Sequence, residues 1–177
     1  LPNWFKNAGY RTVLAGKVLN GCSTCFFGGW DVVIRQDREN QTRRRFYWVD
    51  EMAAQVAAEI RVTPDEQPLF VFFAPPSPHA PFVPRPRYAH AFTGSPPIRD
   101  SVLDVPSFNE ADVSDKRHAL ILASPLLDEE RIARVVANRE RRAAMMLSLT
   151  DAFEVLLGSL RRAGRLEDTY VFFLSDN

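Results

Sequence analysis

The stretch Leu69-Phe70-Val71-Phe72-Phe73-Ala74, followed by the proline loop that runs from Pro75 through Ser77 and His79 to Pro86, decides how this chain folds. A continuous apolar run bracketed by prolines predicts a central strand covered on both faces by helices. Strands of that kind belong to parallel sheets. The loop behind it holds six prolines in twelve positions. Each proline fixes its own φ, so less entropy is lost in holding Ser77 and His79 in place.

Working outward, the same vocabulary recurs on both sides. Arg11 to Gly16 (Arg-Thr-Val-Leu-Ala-Gly) is short, β-branched and bounded by glycines, which predicts a second buried strand. A helix precedes it, with Pro2 in the first turn and Gly9 at the C-terminal cap. From Trp48 to Ile60 the positions Val49, Met52, Ala53, Val56, Ala57 and Ile60 repeat at three and four, the period of an amphipathic helix, and Pro64 ends it. From Asp128 to Ala163 the pattern is again helical, with Met146, Leu147, Thr150, Phe153, Leu157 and Leu160 on one face and Gly164 as cap. Tyr170 to Leu174 predicts a third apolar strand. Val18 to Asp31 reads as a loop, and residues 88 to 127 as an insertion or crossover of low regularity. Strands separated by helices predict an α/β fold, a mostly parallel sheet flanked by helices with right-handed crossovers. The chain opens inside a helix and stops directly after a strand, so it reads as an internal fragment, incomplete at both ends.

Composition narrows the function classes. With 177 residues, 46% hydrophobic and 25% charged, the chain has the profile of a soluble globular domain. A folded domain near this size hides roughly 70% of its unfolded surface, so neither disulfide nor metal is needed for folding. Twenty-two basic residues balance 22 acidic ones, which removes the basic excess expected of a nucleic-acid binder. No apolar run reaches the roughly 18 to 20 residues of a membrane span, and no signal segment opens the chain.

In open α/β sheets, ligands gather outside the carboxyl ends of the strands. Each predicted strand delivers polar groups there: Lys17 after the first, His79 beyond the second, and Asp176 with Asn177 after the third. A fixed cation, a titratable ring and a pair of oxygen donors suit an anionic ester held beside a hard cation, calcium before magnesium. Taken singly, they also match a solvated edge lysine, a backbone-bonded loop histidine and a turn. Cys22 and Cys25 form a Cys-x-x-Cys, but Phe26-Phe27-Gly28-Gly29 is a poor helix start and no further zinc ligands match, so they read as loop cysteines. Arg43-Arg44-Arg45 reads as a solvated run, His90 and His118 as surface residues, and Asn40-Gln41-Thr42 as a glycosylation sequon if the chain is secreted.

Three segments in order, Ala8-Gly9-Tyr10-Arg11-Thr12-Val13-Leu14-Ala15-Gly16-Lys17, then Ala74-Pro75-Pro76-Ser77-Pro78-His79-Ala80-Pro81-Phe82, then Leu166 through Asn177, resemble the type I sulfatases over nearly the whole chain. The resemblance implies an alkaline-phosphatase-like α/β fold, with residues 1–177 forming part of a single catalytic domain. It implies hydrolysis of a sulfate ester by a formylglycine nucleophile. Lys17 would then neutralise sulfate, His79 would contact sulfate and the leaving oxygen, and Asp176 and Asn177 would ligate calcium. The family's Cys or Ser-x-Pro-Ser-Arg motif and its paired-Asp strand are not among these residues, so the formylglycine is expected upstream. Gly16-Lys17-Val18-Leu19-Asn20 departs from the common Gly-Lys-x-His and is closer to the Gly-Lys-Tyr-Leu-Asn of N-acetylglucosamine-6-sulfatases and algal-type arylsulfatases. The implied partners are a sulfated small molecule or glycan and the formylglycine-generating enzyme; the implied location is extracytoplasmic. Two other readings stand beside this one: a phosphomonoesterase or phosphodiesterase of the same superfold, and a noncatalytic remnant that binds anions or partners.

Overall fold

The computed structural model describes residues 1–17, 28–35, 48–117 and 124–175. In chain order these form α1 (Pro2–Asn7), β1 (Arg11–Gly16), β2 (Val32–Ile34), α2 (Trp48–Val62), β3 (Leu69–Ala74), α3 (Pro96–Leu103) and α4 (Glu129–Arg162). The chain divides into two compact units, one made of Leu1–Ser77 with Ser148–Asn177, the other of Pro78–Leu147.

The first unit is built on a parallel three-stranded sheet in the order β2-β1-β3. β1 lies in the middle, with Val13 opposite Val32 on one side and Val71 on the other, and Gly16 opposite Ala74. A central strand has neighbours on both edges and helices over its faces, so Val13, Leu14 and Ala15 are buried. The α2 face anticipated from the spacing is the buried one: Val49, Met52, Ala53, Val56, Ala57 and Ile60. α2 stops because the Thr63 hydroxyl donates to the Glu59 carbonyl, 2.7 Å away, and Pro64 follows. Leu149, Ala152 and Leu156 of α4 close the same core.

Two strands and the α/β class agree with the sequence reading; other parts differ. Tyr170–Leu174 is not a strand here. It pairs with none among the described residues and is exposed, Phe172 by 81% and Leu174 by 86%. An apolar run specifies hydrophobicity but not a partner; here the Phe173 ring meets the half-buried Phe153 ring edge-on, with centroids 5.6 Å apart. The third strand is instead β2, only three residues long and directly behind the segment read as loop. The buried face of α4 is also rotated from expectation. Ala144, Met145, Ser148, Leu149, Ala152, Leu156 and Ser159 are buried, while Met146 and Thr150 are exposed. Alanine and serine make up much of this buried face, which a pattern drawn through the largest side chains misses. By length and composition α4 has a stretch apolar enough to cross a membrane, contrary to the sequence expectation; its inward face nevertheless does the work of a core helix.

In the second unit, part of the segment read as irregular is the helix α3, with Pro96 and Pro97 in its first turn. Asn109 pins the chain before α4: its amide donates to the Leu127 carbonyl at 3.0 Å and its carbonyl accepts the Leu127 N–H at 2.6 Å.

Candidate functional site

β1 and β3 end at the same level, and the close fit of their ends sets the position of Lys17. Gly16 has φ +111°, and a Cβ there would lie 1.9 Å from the Ala74 carbonyl oxygen. Only glycine lets the two backbones meet so closely. The next N–H, that of Lys17, donates to the same carbonyl at 2.9 Å. Lys17 therefore leaves the sheet at its carboxyl edge, exposed, with no side-chain partner among the described residues.

The chain leaving β3 at that edge runs through Pro75, Pro76 and Ser77, and His79 follows in the second unit. His79 is exposed, and its Nδ1 lies 2.8 Å from the Ala80 carbonyl oxygen. A carbonyl only accepts, so Nδ1 carries the hydrogen and Nε2 is the nitrogen left for a ligand. The following Ala80–Pro81 bond is cis.

Asp176 and Asn177, the glycosylation candidate Asn40, Cys22, Cys25, Leu19 and Arg43–Arg45 all lie outside the described residues. Among the described residues no group of three or more His, Cys, Asp or Glu could hold a metal. The metal expectation thus rests on the donor chemistry of Asp176 and Asn177, whose carboxylate and amide oxygens fit a hard cation.

The sequence reading passed over Arg35. It follows β2 directly, and β2 is parallel to β1 with Ile34 opposite Ala15, so Arg35 and Lys17 leave neighbouring strands at one edge. The short β-branched run Val32-Val33-Ile34 was the available signal.

At the opposite edge, charges are paired. Asp31, just ahead of β2, accepts from the Lys6 ammonium at 2.7 Å and from both the N–H and hydroxyl of Thr12, each at 2.9 Å. Burial pushes the Asp31 carboxyl upward, but the hydrogen bonds from Lys6 and Thr12 outweigh it and hold the group below the usual aspartate value. Arg11 forms a salt bridge with Glu59 through Nη2, with Nε 3.2 Å from the same carboxylate oxygen. Arg165 donates to the carbonyls of Gln67 and Thr63, both at 3.0 Å, and to that of Pro64.

The sulfatase family model matches residues 1–177. The chain belongs to the sulfatase family. It is 25% identical to an arylsulfatase of Volvox carteri across its full length, covering 33% of that protein. A protein of Caenorhabditis elegans named as an extracellular sulfatase Sulf-1 homolog is 25% identical over 98% of the chain, which covers 27% of it. Human N-acetylglucosamine-6-sulfatase is 30% identical over 63% of the chain, which covers 19% of that enzyme. The chain therefore spans about a fifth to a third of the length of these relatives. The family match agrees with the resemblance seen in the sequence, and the α/β class with its parallel sheet agrees with the fold read there.

Proposed function

We propose that this chain is part of the catalytic domain of a sulfuric ester hydrolase, acting on a sulfated aryl compound or amino sugar. The observation that carries the reading is Lys17. A close backbone fit sends it out at the carboxyl edge of a parallel sheet, with no side-chain partner among the described residues, in a chain that matches the sulfatase family over residues 1–177. The transition state of sulfate ester hydrolysis gathers negative charge on nonbridging and leaving oxygens, so a preplaced ammonium lowers the barrier. His79, with Nδ1 bonded to Ala80, directs Nε2 chemistry: protonated, it donates to the leaving oxygen. Asp176 and Asn177 are the residues that would hold calcium, whose contribution when bound is charge stabilisation at the sulfate. The nucleophile is a formylglycine from outside these 177 residues. Relatives named extracellular or lying among the glycan and aryl sulfatases support an extracytoplasmic location and a sulfated substrate.

The test is sulfate release by the complete enzyme with Lys17→Met and Lys17→Arg. Met keeps much of the stem without the charge; Arg keeps the charge but replaces a compact ammonium by a planar fork. Both variants are expected to melt within a few degrees of wild type and to lose at least about tenfold in kcat/KM, equivalent to roughly 1.4 kcal/mol. Near-normal kinetics for the Met variant would leave Lys17 an ordinary solvated edge residue. Turnover of phosphate esters in preference to sulfate esters would favour the phosphatase reading.

A further inference from the structure

In the second unit, the segment after the Pro86–Tyr88 turn faces α4 across a groove of about 320 Å³, lined among others by His90, Phe92, Thr93, Ala137, Glu140 and Arg141. That volume is at the lower end of ligand sites. One polar contact bridges its two walls: the Gly94 N–H donates to Glu140 Oε1 at 2.9 Å. Glu140 keeps a second oxygen as acceptor. Arg141 donates from Nη1 to Asn138 Oδ1 at 3.3 Å, a neutral acceptor, and pairs with no carboxylate among the described residues. A guanidinium has five N–H donors in a fork that matches an anion's oxygens, so most of its capacity is unused.

We propose that this groove binds one sugar unit carrying a single anionic group, a sulfate or a carboxylate. Four kinds of chemistry are present on its walls. Phe92 and Ala137 offer an apolar surface for the C–H face of a pyranose. The Thr93 hydroxyl and the His90 ring serve ring hydroxyls, the free Glu140 oxygen accepts from another, and Arg141 takes the anion. A simple polyanion would need only charge and would be repelled by Glu140. A neutral apolar ligand would leave Arg141 and Glu140 unsatisfied. The site involves neither Lys17 nor the loop residue His79, so it stands apart from the sulfate-ester reading.

The experiment is equilibrium binding of glucose sulfate, glucuronate and glucose, followed by ligand-observed NMR, to the complete enzyme carrying Lys17→Met, which removes the ammonium proposed for the sulfate-ester site. Both anionic sugars are expected to bind at least about fivefold more tightly than glucose, as a charge-assisted bidentate contact warrants. Arg141→Gln should abolish that preference, and Arg141→Lys should retain part of it. Phe92→Ala should weaken all three sugars. Arg139→Gln, an exposed arginine elsewhere on α4, should change affinity by less than about twofold, as expected of a screened surface charge. The helical circular dichroism of each variant reports that it is folded. If only one of the two anionic sugars gains over glucose, the site is assigned to that anion. Absence of binding, equal binding of glucose, or an equal loss in Arg139→Gln and Arg141→Gln would overturn the proposal. The readout is binding rather than ester cleavage, so its failure leaves the hydrolase reading intact, and the converse holds.

Discussion

Replacing Gly16 by alanine tests whether the close approach of β1 and β3 holds the sheet edge and Lys17 in place. The added Cβ would sit 1.9 Å from the Ala74 carbonyl oxygen and 2.5 Å from its carbon. Those atoms are backbone of the neighbouring strand, so no side chain can swing aside and the strands must part. The cost combines backbone strain at φ +111°, about 1 to 3 kcal/mol for a non-glycine residue there, with the endangered Lys17-to-Ala74 hydrogen bond, about 1 kcal/mol. A loss of about 3 kcal/mol or more is therefore expected. Gly164→Ala is the control. Gly164 also has positive φ, +67°, yet nothing lies within 4 Å of its Cβ position, so only the left-handed penalty of about 1 kcal/mol applies. For a chain of this size, thermal unfolding should fall by about 2 to 4 °C for Gly164→Ala and by about 6 to 12 °C for Gly16→Ala. Equal shifts in the two variants would refute the reasoning, because the contact with Ala74 would then cost nothing.

Three further outcomes are expected. In the complete enzyme, His79→Ala should lower turnover by roughly 100-fold on a poor leaving group and much less on an activated aryl sulfate, since only the former needs a proton on its leaving oxygen; equal losses on both would remove His79 as proton donor. Asp31 is held below its ordinary value in the fold, so its contribution is present above the unfolded value, about 3.9, and is lost as pH falls through the folded value. Denaturant titrations should show the gap between wild type and Asp31→Asn widest near neutral pH and shrinking in acid, and a gap independent of pH would contradict this. Met52 is fully buried, so Met52→Ala should cost about 2 to 5 kcal/mol; Val62→Ala, at 61% exposure, should stay within about 0.5 kcal/mol by the same titration.

What was legible in the sequence follows from how local each signal is. β1, β3 and the buried face of α2 were readable because continuous apolar runs and a three-four period report burial directly. The α4 face was misjudged because Ala144, Ser148 and Ser159 are buried, and small or polar residues leave no hydrophobic mark in the sequence. Tyr170–Leu174 has the strongest strand composition in the chain yet no strand partner among the described residues, because pairing is a property of the neighbour. β2 was missed for the opposite reason: three residues suffice once β1 presents an edge. Lys17 was legible through its glycine and its place after a strand. The fit of Gly16 against Ala74, which makes that placement firm, belongs to tertiary contact and has no sequence signature.

The two ends of the sheet differ in how their charged side chains are engaged. At the amino ends of the strands, Lys6, Asp31, Arg11, Glu59 and Arg165 are committed to partners. Those contacts join α1 to the start of β2, β1 to α2, and the segment after α4 to the entry of β3. They spend charge on holding the fold together, and a charge so engaged is unavailable to a ligand. At the carboxyl ends β1 meets β3 through backbone, with Gly16 and Lys17 against Ala74. The Lys17 ammonium has no side-chain partner among the described residues, and it leaves the sheet at the edge where β2 ends before Arg35 and β3 before the loop that begins at Pro75. In the proposed sulfate-ester reading a lysine held away from carboxylates is an advantage, because an ammonium already paired with a carboxylate would have to give up that pairing before it met the substrate.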